Sequence, residues 1–203
     1  MRTMSYPTNV AEFREVLSEV EQSFVLENRL PQWVFEAENG ALAFCQYPHV
    51  VGGGFATILA GLASAHGDEY ISAIMLDPDP YLFFEWYGCY PVMRLNAAAI
   101  EQTYWQAISF EPHGDVAGAP TDIANTFAIV GDSGRWAVWG ERRWDLGVLR
   151  SDIPRGSWLE SDVPFVSAEE AIEDFTAINS LRSPAEFDRQ EFLRNYRPPQ
   201  WGQ

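Results

Sequence analysis

Lysine is missing altogether: the 13 basic residues of this 203-residue chain are all arginines, set against 29 acidic ones. The formal net charge of −16 repels phosphate backbones and excludes the usual electrostatic mode of nucleic-acid binding. It favours the approach of a cationic partner instead, chiefly by raising the association rate. The same charge also serves solubility, since net charge bears on association rather than on fold. Cysteine is scarce. Cys45 and Cys89 cannot build a disulfide framework, and neither stands in a CxxC spacing. Their apolar flanks, AFCQY and YGCYP, mark them as buried structural thiols rather than nucleophiles. Histidine is almost as rare: His49, His66 and His113 form no HExxH, HxH or HxxxH pair, so a histidine-based metal site would have to be assembled from distant segments. No run approaches the roughly 20 apolar residues needed to span a bilayer, and MRTMSYPTNV has no apolar core for a signal peptide. A cytoplasmic protein without membrane contact is the expectation.

What is present is a globular composition, 47% hydrophobic and 14% aromatic. The organising stretch is residues 125–151, NTFAIVGDSGRWAVWGERRWDLGVLRS. It reads as three strands, with Asp132-Ser133 between glycines as the first turn and Gly140-Glu141-Arg142-Arg143 as the second. Alternation sets Trp136 and Val138 on one face and Arg135, Ala137 and Trp139 on the other. The next strand divides Trp144, Leu146 and Val148 from Asp145, Gly147 and Leu149. Apolar residues on both faces predict a sheet covered by helices on both sides.

The fold class expected is therefore α+β: one domain over 1–203, with a mostly antiparallel sheet packed by helices. Residues 1–110 carry an N-terminal helix, strands and further helices; 111–165 carry the meander and loops; 166–203 carry two C-terminal helices. Asn9 with Glu12 is a helix start, and Val10, Phe13, Leu17, Val20 and Phe24 follow at helical spacing until Leu30-Pro31. Asn39-Gly40 reads as a hairpin between strands Trp33–Glu38 and Ala41–Tyr47. Gly52-Gly53-Gly54 precedes a helical pattern but matches neither a P-loop nor a dinucleotide fingerprint. Tyr70–Leu76 and Tyr81–Tyr87 read as strands around the Asp77-Pro78-Asp79-Pro80 turn, and Asn96 caps a helix to Ile108. Ser167-Ala-Glu-Glu170 and Ser183-Pro184-Ala185-Glu186 are capping boxes of the two closing helices, and 194–203 reads as a frayed tail.

No catalytic constellation stands out. His66-Gly67 reads as a helix end, with the glycine at the left-handed position. Asp68, Glu69, Asp77, Asp79 and Glu85 could supply a general acid and base or a cation site, although so many acids group by chance. Ser133 in GDSG lacks the GxSxG elbow. Charge distribution says more: residues 51–110 hold six acids and one base, Arg94, the least compensated part of the chain.

The strand pair GDSGRWAVWGERRWDLGVL, with HGDEY and LDPDP before it, resembles the immunity proteins encoded beside bacterial polymorphic and contact-dependent toxins. The resemblance implies a stoichiometric inhibitor that covers a toxin's active site, without catalytic residues or cofactors of its own. The expected function is a non-enzymatic acidic binding protein for a cationic protein partner, such as a toxin domain encoded nearby. Its candidate contacts are Asp68, Glu69, Asp77, Asp79, Trp139, Glu141, Arg142 and Arg143. A carboxylate- or metal-dependent hydrolase, with Asp68, Glu69, Asp77 or Asp79 converging on His66, is the rival expectation. A small-ligand or structural module using exposed tryptophans is the third.

Overall fold

The computed structural model describes residues 6–154, 162–175 and 186–197. Its sheet has six strands, all paired antiparallel, in the order β1-β6-β5-β4-β2-β3. These are β1 (Ala41–Gln46), β2 (Tyr70–Asp77), β3 (Val92–Asn96), β4 (Thr126–Gly131), β5 (Trp136–Glu141) and β6 (Leu146–Ser151). The longer helices are α1 (Val10–Glu21), α3 (Phe55–His66), α4 (Pro80–Tyr87), α5 (Ile100–Ile108) and α8 (Glu186–Tyr196). Short turns make up α2 (Tyr47–Val50), α6 (Pro120–Ile123) and α7 (Ala168–Glu170), which runs into a π-turn at Ala171–Phe175.

The alternation expected of the meander holds within its strands, but the second turn falls at Arg142–Trp144 rather than at Gly140–Arg143, because Gly140 and Glu141 are the last residues of β5 and β6 starts only at Leu146. Trp136, Val138, Phe127, Ile129 and Leu149 point into one core with α3 and α5. Ala137, Trp139, Ala128, Val130, Leu146 and Val148 point into a second, with α1 and α8. The sheet is thus a middle layer buried on both faces, as apolar residues at successive positions require. Gly140 and Gly147 face each other across β5 and β6. A Cβ at Gly147 would lie 2.4 Å from Val50, and one at Gly140 3.1 Å from Tyr47. The paired glycines leave room for Tyr47 and Val50 of α2 to sit directly on the sheet. At the far edge, Glu19 of α1 accepts hydrogen bonds from Ser72, Tyr70 and Arg94, tying that helix to β2 and β3. Both cysteines are buried and unbonded.

Local start signals perform as written. The Asn9 side chain accepts from the Glu12 N–H at 2.9 Å and donates to its carboxylate at 2.7 Å. Ser167 and Glu170 form a reciprocal capping box. Several expectations are corrected. Residues Tyr81–Tyr87 are helical, not a strand. The Asp79 carboxylate accepts from the N–H groups of Tyr81 and Leu82 at 2.9 and 3.1 Å, Pro80 occupies the first turn, and Gly88 closes the helix at φ 64°. Cap chemistry there outweighs the β-propensity of an aromatic run.

Asn39-Gly40 does not close a hairpin: β1 pairs with β6, and the Trp33–Glu38 segment contributes an isolated bridge, Phe35 to Phe24. Helix α1 ends at Glu21 rather than near Leu30. The tail is not frayed from Arg194, because Arg194–Tyr196 belong to α8 and the Tyr196 hydroxyl donates to the Gln32 carbonyl at 2.7 Å. Ser183, Pro184 and Ala185 of the second capping box lie outside the described residues. No described helix is long and apolar enough to cross a membrane.

Candidate functional site

The acidic loops expected to act together are held apart by β2. Asp68-Glu69 precede its first residue and Asp77 is its last. The seven steps from Tyr70 to Asp77, at about 3.4 Å each, put the two ends of the strand roughly 24 Å apart. Asp77 and Asp79 therefore do not join Asp68 and Glu69 beside His66. Among the described residues, no three His, Cys, Asp or Glu side chains group as a metal-binding set.

At the first end, Asp68 is anchored by the hairpin that β4 and β5 make. Its carboxylate accepts from Trp136 Nε1 at 2.6 Å and from the Ser133 N–H at 2.8 Å. Gly131 lies directly beneath, and only a missing Cβ leaves room for this bond, since one would stand 2.3 Å from Asp68 Oδ2. Burial works to raise the Asp68 pKa, but the bonds from Ser133 and Trp136 outweigh it and hold the carboxyl below its ordinary range. Neighbouring Asp132 moves the other way, pushed up by burial and by its bond to Asp68. Asp132 also accepts from the Glu69 N–H at 3.2 Å. Asp68 is therefore a half-buried structural link, while Glu69 is exposed.

Beside it the fold assembles an arrangement with no sequence signal. His66, at the end of α3, has Nε2 3.2 Å from Ser151 Oγ and Nδ1 3.4 Å from Asp152 Oδ1. Arg135 Nε donates to the other oxygen of Asp152 at 2.7 Å. Serine, histidine and aspartate in this order are the parts of an acyl-transfer triad. The nucleophile, however, has no exposed surface: Ser151 is 0% accessible, paired in the sheet to both Ala41 and Trp136. Its Oγ also accepts from the Ile153 N–H at 3.3 Å. Burial holds the His66 imidazole below its ordinary pKa, with Asp152 acting in the opposite sense. The group ties the end of β6 to α3 and presents no hydroxyl to a substrate.

At the opposite end stand Asp77, Asp79, Arg142 and Arg143. Asp77 and Asp79 are exposed. Arg142 is committed to the frame: its guanidinium donates to the carbonyls of Ala124 and Thr121 at 2.8 and 3.1 Å and lies over the Tyr47 ring. Arg143 is exposed. Trp139 and Glu141, expected as contacts, are corrected: they are 0% and 4% accessible and offer no surface to a partner. Glu141 accepts from the Leu30 N–H at 3.0 Å and from Trp139 Nε1 at 3.3 Å. Burial raises its pKa, against the lowering effect of those bonds and of Arg29 and Arg143.

Asp77 and Asp79 lead into α4, whose outward residues Tyr81, Leu82, Glu85 and Trp86 are all exposed. Read as a strand, this segment would not have grouped them. Aromatic residues followed by Gly88 after an Asp-Pro cap were the signal available. Comparison with protein-family models, curated proteins and solved structures found no match.

Proposed function

We propose that this chain is a non-enzymatic acidic binding protein, an immunity-type inhibitor that neutralises a cationic toxin domain in the cytoplasm by covering its active site. The observation that carries this reading is how little of the negative charge is spent internally. Among the described residues, the carboxylates ion-paired to arginine are Glu15 and Glu19 with Arg94, Asp152 with Arg135, and Glu169 with Arg197. Exposed carboxylates outside these pairs, Glu69, Asp77, Asp79 and Glu85 among them, are left for a partner of opposite sign, which they would steer into contact. No side chain has to move a proton or hold a cofactor for such a protein to act.

Co-expression with the product of the adjacent gene tests the proposal. The expected result is a co-purifying complex, rescue from toxicity, and an association rate that falls at least about tenfold from low to high ionic strength. Absence of both complex and rescue would overturn it.

A further inference from the structure

We propose that the outer face of α4 is the docking surface for an arginine-bearing segment of that protein partner; the inference rests on the proposed function and locates it. At about 100° per residue, Tyr81, Glu85, Leu82 and Trp86 occupy one arc of roughly 140°. Pro80 and Phe83, on the other side, are buried. Tyr81, Leu82 and Trp86 are 47%, 39% and 52% accessible, so a short helix turns two aromatic rings and a leucine to solvent around a carboxylate. Single exposed apolar residues are ordinary, whereas adjoining ones on one face mark an interaction surface.

The rings are held in place before any partner arrives. Tyr81 stands edge-on to Phe13 at 5.2 Å and to Tyr90 at 6.0 Å. Trp86 stands edge-on to Tyr87 at 6.4 Å, and the Tyr87 hydroxyl donates to Asp115 at 3.1 Å. Fixed rings lose little freedom on binding.

Charge selects the occupant. From Asp77 to Pro91 the chain has three acids, Asp77, Asp79 and Glu85, and no basic residue. None of the three is ion-paired among the described residues. Aromatic faces flanked by carboxylates that no cation neutralises suit a guanidinium, which stacks on the ring while its N–H groups pair with the acid. A lysine ammonium, compact and strongly hydrated, fits less well. An acidic rim disfavours anionic lipid and nucleic acid alike.

The test uses the full chain and two labelled, capped synthetic peptides, one with arginine alternating with alanine and the other with lysine in place of arginine. Binding is read by fluorescence anisotropy. The arginine peptide is expected to bind several-fold more tightly, and Trp86→Ser to weaken it about tenfold. Trp105→Ser removes an equally exposed tryptophan from α5, 52% accessible, and is expected to change nothing. Glu85→Gln should flatten the salt dependence. Hydrogen exchange on the unmodified chain, which needs no variant to fold, should show new protection across Tyr81–Tyr87. Wild-type binding that Trp86→Ser leaves intact, or protection elsewhere, overturns this surface while the acidic-binder reading stands. If neither the arginine peptide nor the neighbouring gene product binds, both readings fall. Self-association of the chain abolished by Trp86→Ser would assign the face to a second copy and overturn the proposal.

Discussion

The Asp68 carboxylate and the Trp136 indole meet above Gly131, Oδ2 accepting from Nε1 at 2.6 Å. The bond closes the end of the sheet where the β4–β5 hairpin turns, and it exists because residue 131 has no side chain. Gly131→Ala would put a methyl 2.3 Å from one partner and 2.5 Å from the other. The expected cost is about 1–3 kcal/mol, the range for overpacking a tight site. Urea denaturation followed by tryptophan fluorescence checks it, and an unchanged midpoint would count against the geometry.

Protonation of His66 should be visible in stability. Its pKa is depressed by burial, so its contribution is full above the unfolded value of about 6.5 and is lost as pH falls from there through the folded value. His66→Asn is expected to lower stability at neutral pH and to flatten the decline below about 6.5. Denaturation midpoints across that window decide the point; equal slopes in both proteins would sink it.

Glu141 carries the opposite sign. Its folded pKa is raised by burial, so its favourable contribution is present below the unfolded pKa of about 4.3 and disappears as pH rises through the folded value. Glu141→Gln is expected to be at least as stable as the parent at neutral pH, with the advantage shrinking in acid. Glu141→Ala strands the Leu30 N–H and the Trp139 Nε1 and should cost about 1–3 kcal/mol. Thermal melts of both variants over pH distinguish these outcomes.

Ser151→Ala separates structure from catalysis. Removing the hydroxyl leaves His66 Nε2 without its partner, an expected loss of about 1–3 kcal/mol, while partner binding stays as it was. A fluorophosphonate probe should leave the parent unlabelled. Covalent labelling at Ser151 would restore the enzyme reading.

The meander was legible because alternation within each strand determines which side chain meets which core, and Trp136 and Trp139 took the opposite faces that their spacing required. Caps were legible where donor and acceptor lie three residues apart, as at Asn9 and Ser167. Helix α4 was not, because YLFFEWY satisfies strand preferences and only the Asp79 cap tips the balance. The link between His66 and Ser151 joins residues 85 apart, and nothing local announces it. Trp139 was misread as a contact, although its place in the alternation already turned it towards one of the two cores. Glu141 was misread because its burial depends on Leu30, a long-range neighbour whose backbone needs an acceptor. Asp68 and Asp77 share an acidic sequence neighbourhood, yet an extended strand between them is a spacer.

Among the described residues strand β1 pairs along its length with β6, which begins about a hundred residues later, and its Phe44 makes one isolated bridge to Val166. During synthesis β1 therefore emerges with its hydrogen-bonding edge unmet and stays so until Leu146–Ser151 has been made. The later strands β4, β5 and β6 are joined to one another by short connections, whereas β1 meets β6 across a separation of about a hundred residues. A chain cut anywhere between these two strands leaves Ala41–Gln46 without a partner and Cys45, Phe44 and Ala43 without the cores they fill. Residues 1–110 are in this sense one part of a closure that is not complete before Ser151.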